Sequence, residues 1–430
     1  MKNINLVKNY LPLLYLCLSY TIMCDLSFSQ NIDDILKWTF STNGKISSSP
    51  AIGRNGTTIY IVSNNQHLYA INLDGTLKWI FNGESSLTGS PVIGNDNTVY
   101  IDSYAINPDG QLKWKVDESS YSGFVLSLDD FALSLDGTIY SSSSAAHAVN
   151  PDNGEILWNS VDYAWCGTSP VVGAGGTIYY LTGGLYSLDS NGNYILGGYD
   201  FPTPSRDFQG ALSPIIDFND TVYTVCSKKI YAINNDGTIK WSYDVDTGFG
   251  HIVISTDGIL YSCSSKKYLH AINPDGSQKW TYFLNTLYNS SPAIGRDGTI
   301  YLNSFNDMSG HIHAINPDGS KKWLLDIENS TGNNNSSPVI GADGTLYVGG
   351  FNKLYAISTD CGGLANSCWP MINHDMYHSR NVKTPIPPAH CYTEEDVDQL
   401  LKKALQKWDI NNDNKKGLAE AIDALQSLIK

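Results

Sequence analysis

The ten residues AINPDGSKKW (314–323) recur along the chain with few changes, and no other feature narrows the fold so far. Near copies stand at 271–280 (AINPDGSQKW), 232–241 (AINNDGTIKW), 105–114 (AINPDGQLKW) and 70–79 (AINLDGTLKW). A companion, SSPAIGRDGTIYL (290–302), returns at 48–61, 89–101, 168–180 and 336–348, and in looser form at 131–141, 212–224 and 252–262. That makes eight companions, each followed by one copy of the first motif. A chain that writes one unit eight times builds one structural element eight times.

The unit parses into four strands. SPAIG is the first. An Asp-Gly turn follows, because Gly accepts positive φ and Asp bonds the turn's own backbone. TIYL alternates β-branched and aromatic residues and reads as the second strand. HAIN is the third, another Asp-Gly turn reverses the chain, and KKW is the fourth. A repeat of roughly 40 residues with this content is a propeller blade. The expected fold is all-β, an eight-bladed β-propeller of four-stranded antiparallel blades. The terminal Trp is expected to wedge one blade against the next. LKWTF (36–40) matches fourth-strand text but precedes the first blade, so it is expected to cross over and complete the eighth. Trp369 competes for that place; the local text favours Trp38. Leu196 sits where a Trp is expected, which marks the fourth blade as the weakest interface.

Charged residues make up only 16% and the net charge is −15. A nucleic-acid binder needs a basic surface, so that class is excluded. Lys2 and Lys8 flank an apolar run at 10–23, too short to span a membrane comfortably, with small residues at Ser27 and Ser29. Residues 1–29 read as a signal peptide, and the mature chain as periplasmic or secreted. Met23 precedes Cys24 where a lipoprotein needs a small residue. Export permits disulfides; Cys361 and Cys368, flanking a short loop, are the expected pair. No CxxC occurs.

The run Ala148, Asn150, Gly154, Trp158 resembles the tryptophan-docking motif of pyrroloquinoline-quinone-type (PQQ-like) propeller repeats, over roughly residues 36–380. The other copies are mostly one residue shorter. That superfamily contains quinoprotein dehydrogenases and non-enzymatic scaffolds, including the lipoprotein of outer-membrane barrel assembly. The dehydrogenases carry adjacent cysteines against the quinone; this chain has none, and no quinone-site residue is matched, so PQQ itself is not expected. Within residues 30–383 three groups merit scrutiny. His311 and His313 lie two apart on one strand, as a metal pair would, but His313 fills a slot that is Tyr69, His147, Tyr231 and His270 in other units. His374, Asp375, His378 and Arg380, in WPMINHDMYHSRN (369–381), suggest acid–base chemistry, against a structural role in closing the repeats. Asp200, Arg206 and Asp207 interrupt the repeat where a blade-connecting loop belongs.

A Pro-rich linker (384–392) leads to a segment of different period. In 393–430 apolar residues at helical spacing flank DINNDNKKGLAE (409–420). Asp409, Asn411, Asp413, the Lys415 carbonyl and Glu420 fit the oxygen ligands of a twelve-residue Ca²⁺ loop. Asn414 replaces the usual Gly and Lys416 the usual apolar residue. The segment resembles an EF-hand or half of a dockerin-like module, a small α-helical hairpin. The expected protein is an exported, non-enzymatic binding or scaffold propeller. It would take a protein or glycan on its loops and dock a partner through Ca²⁺. The alternative is an enzyme, a divergent quinoprotein dehydrogenase or a polysaccharide-active propeller.

Overall fold

Each repeat folds into one antiparallel sheet, and eight such sheets succeed one another along the chain. The computed structural model describes residues 35–381, less 47, 85–86, 117–130, 143–145, 161–167, 182–183, 201–211, 227, 246–249, 265–266, 285–287, 306–309, 328–335 and 377. The expected signal peptide, Pro-rich linker and C-terminal helical hairpin fall outside the described residues. The chain divides into two units, Met1–Pro387 and Pro388–Lys430; every described residue belongs to the first.

The first blade shows the plan. Its strands run outward from the axis as Ala51–Ile52, Thr58–Ser63, His67–Asn72 and Leu77–Asn82. The second strand is buried throughout, while the outermost alternates between exposed and half-buried. Inner strands are covered on both faces by neighbouring blades. Blades diverge like spokes, so cover thins towards the rim. The seventh blade adds a short strand, Tyr288–Asn289, beside its second strand Ile300–Phe305.

The ring closes as the sequence indicates. Leu36–Ser41 pairs with Lys353–Ile357 and sets Trp38 opposite Ala356. Trp38 therefore takes the outer place in the eighth blade, and Trp369 lies elsewhere.

The repeated Trp and the repeated Gly explain each other. Trp280 stands opposite Ala271 in its own blade and leans on Tyr261, ring centroids 5.6 Å apart. Its indole N–H donates to the Pro317 carbonyl of the next blade at 3.0 Å. The same bond joins Trp38 to Leu73, Trp79 to Pro108, Trp114 to Pro151, Trp158 to Ser190 and Trp241 to Pro274. The ring lies flat on the Gly that ends that turn: a Cβ on Gly276 would sit 2.8 Å from the Trp241 ring, and its φ is +86°. Gly is required twice over, for left-handed backbone and for close approach. The wedge is shallower than the sequence suggests. Trp79, Trp158, Trp241 and Trp280 are only half-buried, and Trp114 and Trp323 are covered more fully. The main cohesion lies nearer the axis, in the Ile, Val, Leu and Tyr side chains of the inner strands.

A second interlock lies two residues beyond the Trp. Phe40 packs on Tyr69, Phe81 on Tyr104, Tyr243 on His270 and Tyr282 on His313, each across a blade junction. The slot that carries His in three blades is thus an inter-blade packing position.

Cys361 and Cys368 are not bonded to each other; both carry free thiols, as does Cys263. The Cys361 thiol bonds within the Thr359–Gly363 turn, against the seventh and eighth blades. Cys368 lies beside fifth-blade residues Asp217, Phe218 and Tyr223. The loop between them crosses from one side of the axis towards another, which sequence spacing does not reveal.

Candidate functional site

Innermost strands of two or three residues leave backbone groups facing the axis, an open edge in each blade. The segment 361–381 covers much of it. The N–H groups of Ile254 and Ile294 donate to the carbonyls of Trp369 and Pro370 at 2.7 and 2.9 Å. Those of Ile52, Leu133 and Val172 donate to Met376, Ser379 and Arg380 at 2.8, 2.8 and 2.9 Å. The His378 Nδ1 lies 2.9 Å from the Pro91 carbonyl; a carbonyl only accepts, so Nδ1 carries the proton. From Trp369 to Arg380 the chain thus touches blades six, seven, one, two, three and four in turn. It is a seal wound once around the channel.

Winding so tightly requires unusual backbone. Asn373, His374, His378 and Arg380 all have positive φ, between 51 and 82°, a cluster that survives only where surroundings enforce it. At its centre Asp375 is fully buried. Its carboxylate accepts the Ser379 N–H at 3.0 Å and the Ser379 hydroxyl at 2.7 Å, and lies 3.2 Å from His374 Nδ1. Burial pushes the carboxyl upward in pKa, but His374 and the Ser379 donors outweigh it and hold it below the usual carboxylate range. His374 in turn meets the Trp369 ring edge-on at 5.3 Å.

Ser379, His374 and Asp375 are therefore brought together, in an order unsuited to nucleophilic catalysis. The carboxylate stands between hydroxyl and imidazole, the serine proton points at Asp375, and all three are buried. The group clasps the seal. Arg380 is buried beside it.

The seal lies where the innermost strands run into their Asp-Gly turns; Arg296 and Asp297, in such a turn, donate to Gly363 and Cys361. At the strands' other end is a collar of serines. The Ser291 N–H donates to Ser337 Oγ, that of Ser337 to Ser49 Oγ, and that of Ser49 to Ser90 Oγ, blade to blade at 2.9–3.1 Å. Ser169 and Ser213 repeat the link at 3.2 Å. The preceding Ser48, Ser290 and Ser336 accept N–H groups from their own second strands. The repeated SSP text carried this signal, but read as a strand it gave no hint of a collar.

Antiparallel order then separates two faces. Turns between strands one and two, and three and four, lie on the sealed side and keep their text. Connections between strands two and three, and between blades, leave and re-enter the sheets on the collar side and differ in length and sequence. Variable loops on a constant scaffold are where binding specificity resides.

The remaining candidates separate. The His311 ring lies 2.7 Å from Asp326, and His313 Nε2 lies 2.7 Å from Ser304 Oγ. The two imidazoles engage different partners, 6.3 Å apart. Among the described residues no three His, Cys, Asp or Glu side chains group as metal ligands. Asp200 ends the outer strand Tyr194–Asp200; Arg206 and Asp207 lie outside the described residues, as do Asp409, Asn411, Asp413, Lys415 and Glu420. No helix among the described residues is long and apolar enough to cross a membrane.

Burial pushes His147 down to about 4 and His313 down to about 3, the latter helped by His311 and Lys321. Both are neutral in the fold, while unfolded His titrates near 6.5. Their contribution is full above about pH 6.5 and is lost progressively as pH falls towards 4 and 3. Urea midpoints measured from pH 7 to 4 should decline. His313→Tyr, which installs the residue found at Tyr69, Tyr104 and Tyr231, should flatten that decline.

The geometry defines a class: an eight-bladed propeller whose channel is sealed on one face by its own chain. The model of the family described as outer membrane protein assembly factor BamB matches residues 32–161 and 142–376, and the chain belongs to that family. No curated protein matches the chain. Among solved structures it is similar to BamB from Moraxella catarrhalis, at 14% identity over 73% of this chain and 85% of that one, TM-score 0.44. It is also similar to a streptogramin B lyase, at 11% identity over 75% of this chain and 96% of that one, TM-score 0.48.

Proposed function

We propose that this chain is an exported binding scaffold that takes a protein partner on its loop face, with a Ca²⁺-binding tail that docks a second surface. One observation carries the reading: the seal closes the channel at the turn face and ties up its own titratable groups, which leaves the variable loops at the collar face as the surface free to differ. The family's description, an assembly factor of the outer membrane, supports a periplasmic scaffold. In the tail, Asp409, Asn411, Asp413 and Glu420 supply side-chain oxygens and Lys415 its carbonyl, the hard donor set that Ca²⁺ takes.

The test is a pull-down from cell-envelope extract with the full mature chain as bait, in Ca²⁺ and in chelator. A partner retained in both is the expected result for the propeller; a further partner lost in chelator and in Glu420→Gln is expected for the tail. Calorimetric titration with Ca²⁺ should show Glu420→Gln weakening binding at least tenfold. No partner in either condition overturns the scaffold reading.

A further inference from the structure

Six blade junctions share one socket: a positive-φ Gly, a turn carbonyl, and an indole from the preceding blade lying on the first and donating to the second. The junction between the fourth and fifth blades keeps the socket and lacks the indole. Gly237 has φ +85°, like its counterparts. The Asn235 carbonyl occupies the place of the six acceptors, two residues before the Gly as in most copies. At the docking position stands Leu196, paired with Ser187 where other blades pair Trp with Ala, half-buried and packed against the cluster that includes the fifth-blade core. Leucine is much smaller than tryptophan and has no N–H to give. The strand bearing it is also irregular, with register shifts on both sides of Ser187.

The surroundings depart from the repeat in the same sense. The residue before the docking position is lysine in six blades: Lys37, Lys78, Lys113, Lys240, Lys279 and Lys322. Lys113 bridges Asp96 and Asp152, and Lys322 bridges Asp297 and Asp360. In the third and fourth blades alone it is Leu157 and Ile195, 54 and 61% exposed. Tyr194 and, in a fifth-blade turn, Phe218 are exposed as well. Ammonium groups have thus been replaced by apolar side chains on the two adjacent blades that lead to the incomplete socket. Structure alone does not require this; a lysine at Ile195 would be as soluble as the others.

We propose that this junction is an interaction site for a partner polypeptide, which inserts an indole side chain over Gly237 and Leu196. The repeat itself specifies the occupant: the socket elsewhere takes a tryptophan whose N–H meets a turn carbonyl at 2.7–3.0 Å. The apolar rim around Ile195 excludes water from the inserted ring. The site lies on the outer wall towards the turn face and is independent of the loop-face reading.

The test uses the full chain and two peptides, acetyl-Gly-Trp-Gly-amide and acetyl-Gly-Leu-Gly-amide, followed by NMR titration. The Trp peptide should bind saturably and the Leu peptide at least tenfold more weakly. Leu196→Trp fills the socket from within; it should raise the melting temperature and reduce Trp-peptide binding at least tenfold. Ile195→Lys restores the residue of the other blades and should weaken binding without touching the socket, which keeps the test decisive if Leu196→Trp does not fold. Equal binding of both peptides, or full binding by Leu196→Trp or by Ile195→Lys, overturns the proposal. So does a concentration-dependent dimer of the wild type that Leu196→Trp abolishes, since the occupant would then be a second copy.

Discussion

Asp375→Ala is expected to lower the unfolding free energy by about 3–5 kcal/mol, the scale on which a buried ionic partner is missed. The carboxylate holds Ser379 by two donors and faces His374, all without access to water. Alanine leaves those donors unpaired inside the channel. Asp375→Asn keeps an oxygen for the Ser379 N–H and should cost roughly half as much. Chemical denaturation gives the magnitudes, and amide exchange gives the mechanism. Ile52, Leu133 and Val172 donate to the seal, so their amides should lose protection first. A variant that unfolds at the same denaturant concentration as the wild type would show that the clasp does not hold the seal. The folded carboxyl is depressed, so its contribution stands above about pH 4, the unfolded carboxylate value, and is lost as pH falls through the folded one.

Gly276→Ala should cost about 3 kcal/mol, against about 1 kcal/mol for Gly56→Ala. Both glycines have positive φ, +86 and +66°, so both substitutions carry the left-handed penalty. A Cβ on Gly56 meets nothing within 4 Å, whereas one on Gly276 would lie 2.8 Å from the Trp241 ring. The difference between the two therefore isolates the blade junction. Thermal melts of both variants settle it: equal shifts would mean that Trp241 yields freely and does not lock the blades.

Most of the architecture was legible because it is written eight times. The strand order, the Asp-Gly turns and the crossover of Leu36–Ser41 follow from text that must serve every blade alike. Local text also separated Trp38 from Trp369. What escaped occurs once or works between copies. A closing role for 369–381 was readable, but not its path: a single passage of chain whose hydrogen bonds run to six blades has no local period to announce it. The serine collar repeats, but its partners lie 41 to 46 residues away or across the closing seam. Cys361 and Cys368 looked like a pair because seven positions separate them; in the ring that distance carries the chain from one blade's territory to another's.

The pairing of Leu36 with Ile357 also sets a timetable. A ribosome or an export channel delivers this chain from its N-terminus, and the first strand delivered is the last to find its partner. Seven blades can assemble in order of arrival while that strand waits, an unpaired edge exposed to any other chain nearby. Contacts so distant in sequence make for slow closure. The ring therefore has a vulnerable interval, and its length is the time taken to deliver the remaining three hundred or so residues at about 5–20 per second. The propeller cannot lock until its final blade has emerged.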